Sequence, residues 1–299
     1  MESQPLHGFY YEIYRPTHHS LQVSEAGVEY RAIRTSANTG KTNSNLLFRA
    51  IIGNYVLVPL ISVALLLWFH ATPMVAAGFL VAAVCPGAPY APPFTAMAKG
   101  NVIIAVGLMI VLAASSAILA PLLLGFLLPL AAGNASVQID VFKIIKTLLG
   151  AQVLPLIVGL WIRHSHPVFA RKLKKPAGTL SLLLNVLLLA VIISVQSQTL
   201  AQIRVRAYFA MLCLLLGTLV AGRLSSKRGV DDIAKSLILT TAVRNVGVSL
   251  VIASGSFPGT AAITAATAYG IFQTVVIALI ALLWGRYTPR ISLVEGKAA

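Results

Sequence analysis

From residue 46 to residue 284 the chain is a succession of apolar runs, most of them long enough to cross a bilayer, with basic residues between them. About twenty predominantly apolar residues cross roughly 30 Å of hydrocarbon as a helix. Inside that hydrocarbon no water meets a free N–H or C=O, so each run must satisfy its backbone internally. Reading with this ruler predicts about eight spans, near 46–69, 73–98, 102–128, 142–162, 180–195, 208–221, 234–254 and 261–284. The fold class is therefore an all-α polytopic membrane protein. Charged residues make up 10% of the chain and hydrophobic ones 58%, against about a quarter charged in a soluble domain.

The formal charge of +15 would suggest nucleic acid in a soluble chain, but here Lys and Arg cluster between apolar spans, where they set topology. No nucleic-acid partner is expected. Arg49, Lys99, the group Arg163, Arg171, Lys172, Lys174 and Lys175, then Arg223, Lys227 and Arg228, and finally Arg286 and Arg290 fall on one side. The positive-inside rule makes that side cytoplasmic, with both termini there, as expected of a protein of the cell (inner) membrane. Lys143, Lys146, Arg204 and Arg206 are exceptions on the outer side. The two lysines, near a span end, read as snorkelling residues. Cys85 and Cys213 lie in apolar surroundings without metal-ligand or redox spacing, so no metal and no cofactor is expected.

Two spans are unsuited to an unbroken helix. Pro86, Pro89, Pro92 and Pro93, with Gly87 among them, interrupt the second, since each proline removes a donor and clashes with the preceding turn. The seventh carries Arg244 and Asn245 at its middle and Gly247 just after, a weaker breaking signal combined with a buried charge. A guanidinium at that depth costs roughly 2.5–3.5 kcal/mol even on a lenient scale. All eight acids (Glu2, Glu12, Glu25, Glu29, Asp140, Asp231, Asp232 and Glu295) fall in tails or connections, so none can neutralise it. Arg244 is expected to face broken-helix carbonyls, water or an anionic ligand.

Spans one to three and six to eight run in opposite senses, each triplet with a broken helix at its centre. Paired interrupted segments in an inverted repeat are the sequence mark of a transporter with a central site. The expected organisation is a polar tail (1–45), a first core triplet (46–128, broken near 85–93), a helix pair (141–196), a second core triplet (207–287, broken near 240–247) and a C-terminal tail (288–299). No acid and no His, Ser or Cys constellation faces the membrane interior, which argues against an enzyme.

NYVLVP at 54–59, CPGAPYAPPFTAMAKGN at 85–101 and TTAVRNVGVSLVIASGSFPG at 240–259 resemble the bile acid:sodium symporter family. That resemblance implies an inverted repeat of five helices, two crossed broken helices and a core domain beside a panel domain. The pair 141–196 then stands for half of the panel, and the family's first two helices are absent. The resemblance also implies where sodium would bind, and the chain departs from the family there. Ala91 and Pro92 stand where sodium-coupled members carry Ser and Asn, and Ala105 and Met109 where hydroxyl ligands are expected. Thr240 replaces a glutamate and Arg244 a glutamine. Asn54 and Thr240 are the remaining candidate ion contacts. A fixed guanidinium repels sodium, so transport without sodium coupling is expected.

The positive site favours a small organic anion. Candidate contacts are Pro89 and Tyr90 at the first break, Thr240, Thr241, Arg244 and Asn245 at the second, and Gln273 and Thr274 on the last span. Two other functions fit the same residues: a sodium-coupled symporter with an atypical ion site, and a non-transporting receptor or scaffold of the same fold.

Overall fold

The computed structural model describes residues 44–132, 139–173, 176–180, 205–226 and 231–287, with single positions between 183 and 194. The chain divides into two compact units, Met1–Phe48 and Arg49–Ala299, and the architecture below is that of the second. The N-terminal tail to residue 43, most of the fifth expected span and the C-terminal tail lie outside the described residues.

Among the described residues all regular structure is helical, and six helices are long and apolar enough to cross a membrane. A π-helical turn, Gly53–Leu57, leads into α1 (Val58–Trp68). Then come α2 (Pro73–Ala83), α3 (Ala91–Met97) and the long α4 (Val102–Ala132). After a connection, α5 (Val141–Leu148), a second π-helical turn (Leu149–Val153) and α6 (Leu154–Ser165) form one continuous span. The second half consists of α7 (Val205–Ser225), α8 (Asp232–Ala242), α9 (Val246–Ser256) and α10 (Ala261–Tyr287).

The breaks fall where chemistry demands them. Residues 84–90 separate α2 from α3, with Pro86 and Pro89 in the non-helical stretch. Pro92 and Pro93 sit in the first turn of α3, where an N–H would have had no intrahelical acceptor. Gly87 has φ 83°, and a Cβ there would lie 2.4 Å from the Ala113 nitrogen of α4. Only glycine meets both the backbone angle and the approach. The α8/α9 break is shorter, residues 243–245, and contains no proline. Asn245 makes it: its side-chain Oδ1 accepts from the Val248 amide at 3.2 Å, capping α9.

Small residues let the helices approach closely, the packing mode that dominates where lipid is as apolar as the side chains. The α2–α10 contact, one of the two most extensive, is built from Ala76, Ala77, Ala262, Ala265 and Ala266. Gly78 lies in that seam, and a Cβ on it would fall 2.3 Å from the Ala262 carbonyl oxygen. Gly78→Leu is expected to cost about 1–3 kcal/mol or more by overpacking, whereas Gly107→Ala on α4, with nothing within 4 Å, should not destabilise. Melting curves of the purified variants in detergent check this, and equal melting would contradict the close seam.

Candidate functional site

The two breaks meet. The Asn245 amide donates to the Cys85 carbonyl at 2.8 Å, and the Asn245 Nδ2 donates to the Gly87 carbonyl at 3.3 Å. The crossing is thus held by one main-chain bond and one from the Asn245 side chain, both to carbonyls that the first break has left without a helical donor. The Tyr90 hydroxyl closes the other side, donating to the Arg244 carbonyl at 2.8 Å.

Arg244 is wholly enclosed. Its Nη1 donates to the Ala83 carbonyl at 3.1 Å and its Nη2 to the Asn54 Oδ1 at 2.6 Å, and Nη2 also donates to the Thr241 carbonyl. Nε finds no partner among the described residues. Each acceptor has a local origin. Ala83 is the last residue of α2, and Thr241 is the penultimate residue of α8. The last carbonyls of a helix have no intrahelical donor and carry the negative end of its dipole. Two half-helices therefore turn their C-terminal ends toward one guanidinium. Asn54 comes from the π-helical turn before α1. Its Nδ2 donates to the Ala50 carbonyl at 2.8 Å and the Thr241 Oγ1 at 3.2 Å, which orients the amide with its oxygen toward Arg244.

The Arg244 backbone is held as firmly as its side chain. Gln273 Oε1 accepts from the Arg244 amide at 3.1 Å, and Gln273 Nε2 donates to the Arg244 carbonyl at 2.9 Å. A glutamine side chain from α10 thus takes the place of the two backbone partners lost at the break.

The residues anticipated from sequence divide into two groups. Arg244, Asn54, Thr241 and Gln273 form one buried hydrogen-bonded cluster. Thr240 is also buried, but its hydroxyl turns back along α8 to the Ser236 carbonyl at 2.7 Å. Asn245 is nearly buried, Tyr90 and Thr274 are half-buried, and Pro89 is exposed. Gly247, beside them, is exposed too and makes the first turn of α9.

Several participants escaped the sequence reading. The carbonyls of Ala83, Thr241, Cys85 and Gly87 carry no side-chain signature. The Tyr55 hydroxyl, next to Asn54, donates to the Leu112 carbonyl of α4 at 2.9 Å and lies 2.8 Å from the Ser115 Oγ. Gln152, in the second π-helical turn, donates to the Ala113 carbonyl and, at 3.1 Å, to the Ser116 Oγ. It grips α4 at the residue against which Gly87 packs. Among the described residues no three of His, Cys, Asp and Glu come together as a metal site.

Asn54→Leu leaves a guanidinium donor unpaired in a dry interior and is expected to cost about 1.5–3 kcal/mol, the range for a hydrogen bond to a charged group. The pair Asn54→Leu with Arg244→Met removes charge and partner together, and should recover part of that loss. Unfolding of all four proteins in detergent measures the coupling. Simple additivity of the two single changes would mean that Asn54 does not hold the guanidinium.

Residues 26–203 of the chain match the Sodium Bile acid symporter family, more than half of its length. The matched stretch includes the first break and ends before the second. No curated protein matches the chain.

Proposed function

The chain belongs to the sodium bile acid symporter family and is an integral membrane protein of a transporter family, and on that premise we propose that it carries a small organic anion by alternating access without sodium coupling. The single observation behind this reading is the oxygen cage around Arg244. Oxygens from the turn before α1, the end of α2 and the end of α8 converge on one cation. Half-helix C-termini and unwound carbonyls are what transporters of this general design use to hold a coupling cation. Here the cation is part of the chain. A guanidinium already in that cage leaves no vacant oxygen set for sodium, and its charge repels a second cation at short range.

On this reading the anion sits on the open side of the crossing. The N-terminus of α9 faces it, and the positive end of the helix dipole favours negative charge there. Pro89, Tyr90, Asn245 and Thr274 supply the contacts. Arg244, Thr240, Thr241 and Gln273 shape the site from behind and set its potential. The core triplets 46–128 and 207–287 move against the helix pair 141–196, with both termini on the cytoplasmic side of the cell membrane. The substrate's own charge, or exchange for another anion, drives net movement.

A thermal-shift screen of amphipathic carboxylates and sulfonates on the purified protein identifies the solute, and uptake into reconstituted vesicles tests the mechanism. Uptake is expected to be the same with an inward sodium gradient as with potassium in its place. Arg244→Gln, which removes the charge but leaves an amide, should lower uptake by roughly tenfold, equivalent to the loss of about 1.4 kcal/mol of electrostatic attraction for the anion. Strong sodium dependence of the unaltered protein would overturn the reading. Binding of the anion without flux would favour a receptor of the same fold.

A further inference from the structure

Arg206 breaks the charge asymmetry of the connections, and the crossing does not use it. It stands on α7, beside a cavity of about 290 Å³ that opens where α1 ends and α2 begins. Leu65, Val75, Phe79 and Leu214 line the body of the cavity, while Ser62, Thr72 and Arg206 are polar groups on its wall. None of the residues that hold Arg244 lines it.

Among the described residues Arg206 is the one fixed charge on the cavity wall, beside the neutral Ser62 and Thr72 hydroxyls and the His70 ring. Arg206 Nη2 donates to the Phe69 carbonyl at 2.6 Å, which fixes the guanidinium at the mouth and commits one edge of it. A guanidinium carries five N–H donors in a rigid fork, so a second edge is left for a ligand. Among the described residues no carboxylate pairs with Arg206, and the cavity lining includes no Asp or Glu. One helix, α2, starts at this mouth. Thr72 is the N-cap of α2, yet its side chain makes no capping bond, so the hydroxyl is uncommitted; Pro73 at the first helical position has no N–H, which leaves the amides of the next residues as the helix-end donors. A fixed cation, an uncommitted hydroxyl and a helix start thus converge above an apolar pocket. The volume sits near the lower end of ligand cavities, of the order of 300–1,000 Å³, which suits one or two fused rings.

We propose that this cavity is a second binding site, separate from the crossing, for a small soluble amphipathic anion whose carboxylate or sulfonate meets Arg206 and Thr72 and whose apolar body enters between α1, α2 and α7. The site needs no assumption about coupling or flux. It would hold an anion at the outer mouth of the protein whether or not the crossing carries it onward.

Equilibrium binding of radiolabelled 1-naphthoate to the full-length protein in nanodiscs of neutral phosphatidylcholine tests the site, with no gradient and no flux involved. Saturable binding is expected, with 1-naphthamide, its neutral counterpart, failing to compete. Arg206→Gln should weaken it by roughly tenfold or more, and Arg206→Lys should retain most of it. Ala210→Phe fills the cavity from α7 without touching the charge and should abolish it. Equal binding by the Arg206→Gln protein, or binding that survives Ala210→Phe, would overturn the site. Displacement of naphthoate by phosphatidylglycerol added to the nanodiscs would overturn it as a site for a soluble acid, because the occupant would then be a lipid. Transport measured by the sodium-gradient experiment can fail while this binding stands, and the reverse.

Discussion

A single buried guanidinium ties together three segments that are distant in sequence. Arg244 takes oxygens from residue 54, residue 83 and residue 241, and its own backbone is held from residue 273. Removing an ion from water costs several kcal/mol even after relaxation, so the protein must return that energy through geometry. It does so with helix ends. The two breaks create unpaired C-terminal carbonyls on α2 and α8, which by themselves would be a liability in a dry interior. Each liability answers the other: the charge needs acceptors, and the carbonyls need donors.

This has a consequence for the proposed transport. A coupling ion contributes the free energy of its gradient because it arrives from one side and leaves on the other. A cation built into the chain binds the same oxygens but never dissociates, so it can shape the site without supplying any driving force. The cage is also gripped from outside. Tyr55 and Gln152 both reach α4, at Leu112 and Ala113, and Gly87 packs its backbone against Ala113 from the crossing. Asn54 and Gln152 lie in π-helical turns, which insert one residue into a helix and redirect the side chains there. Both turns aim an amide at the region of the crossing. Relative motion of the helix pair and the core would strain the Gln152 contact first.

What could be read from sequence follows the kind of atom involved. The first break was plain because four prolines have a backbone chemistry that overrides any packing, although two of them prove to belong to the first turn of α3. The second was fainter, because its signal is one capping asparagine and a charge. Arg244 stood out by its cost. Of its partners Asn54 was a candidate, but the carbonyls of Ala83 and Thr241, like those of Cys85 and Gly87 that accept from Asn245, are indistinguishable in sequence from any other carbonyl. Tyr90 and Gln273 read equally well as packing residues. Only the three-dimensional crossing brings both to the carbonyl of residue 244. Pro155, inside the fourth span, sits in the first turn of α6 directly after a π-helical turn. Among the described residues the span limits were legible to within a few residues, because hydropathy is a property of whole runs rather than of single contacts.

Thr240 and Arg244 make sense only as a pair of changes. By family resemblance these positions would carry a glutamate and a glutamine around a bound cation. Arginine at 244 with glutamate kept at 240 would form a buried ion pair across the C-terminal end of α8, neutral and expensive to open. Here the hydroxyl of Thr240 is satisfied within α8 and takes no part in the cage. The charge of Arg244 is therefore shared among neutral oxygens and not cancelled. A carbonyl dipole screens a charge without removing it, so the crossing keeps a net positive potential in a medium of low dielectric, where such a potential reaches further than in water. On the proposed reading, an anion on the open side of the crossing would gain from that potential without touching the guanidinium. In the proposed reading the loss of the acid matters as much as the gain of the arginine, because only together would they turn a site built for a cation into one that attracts its opposite.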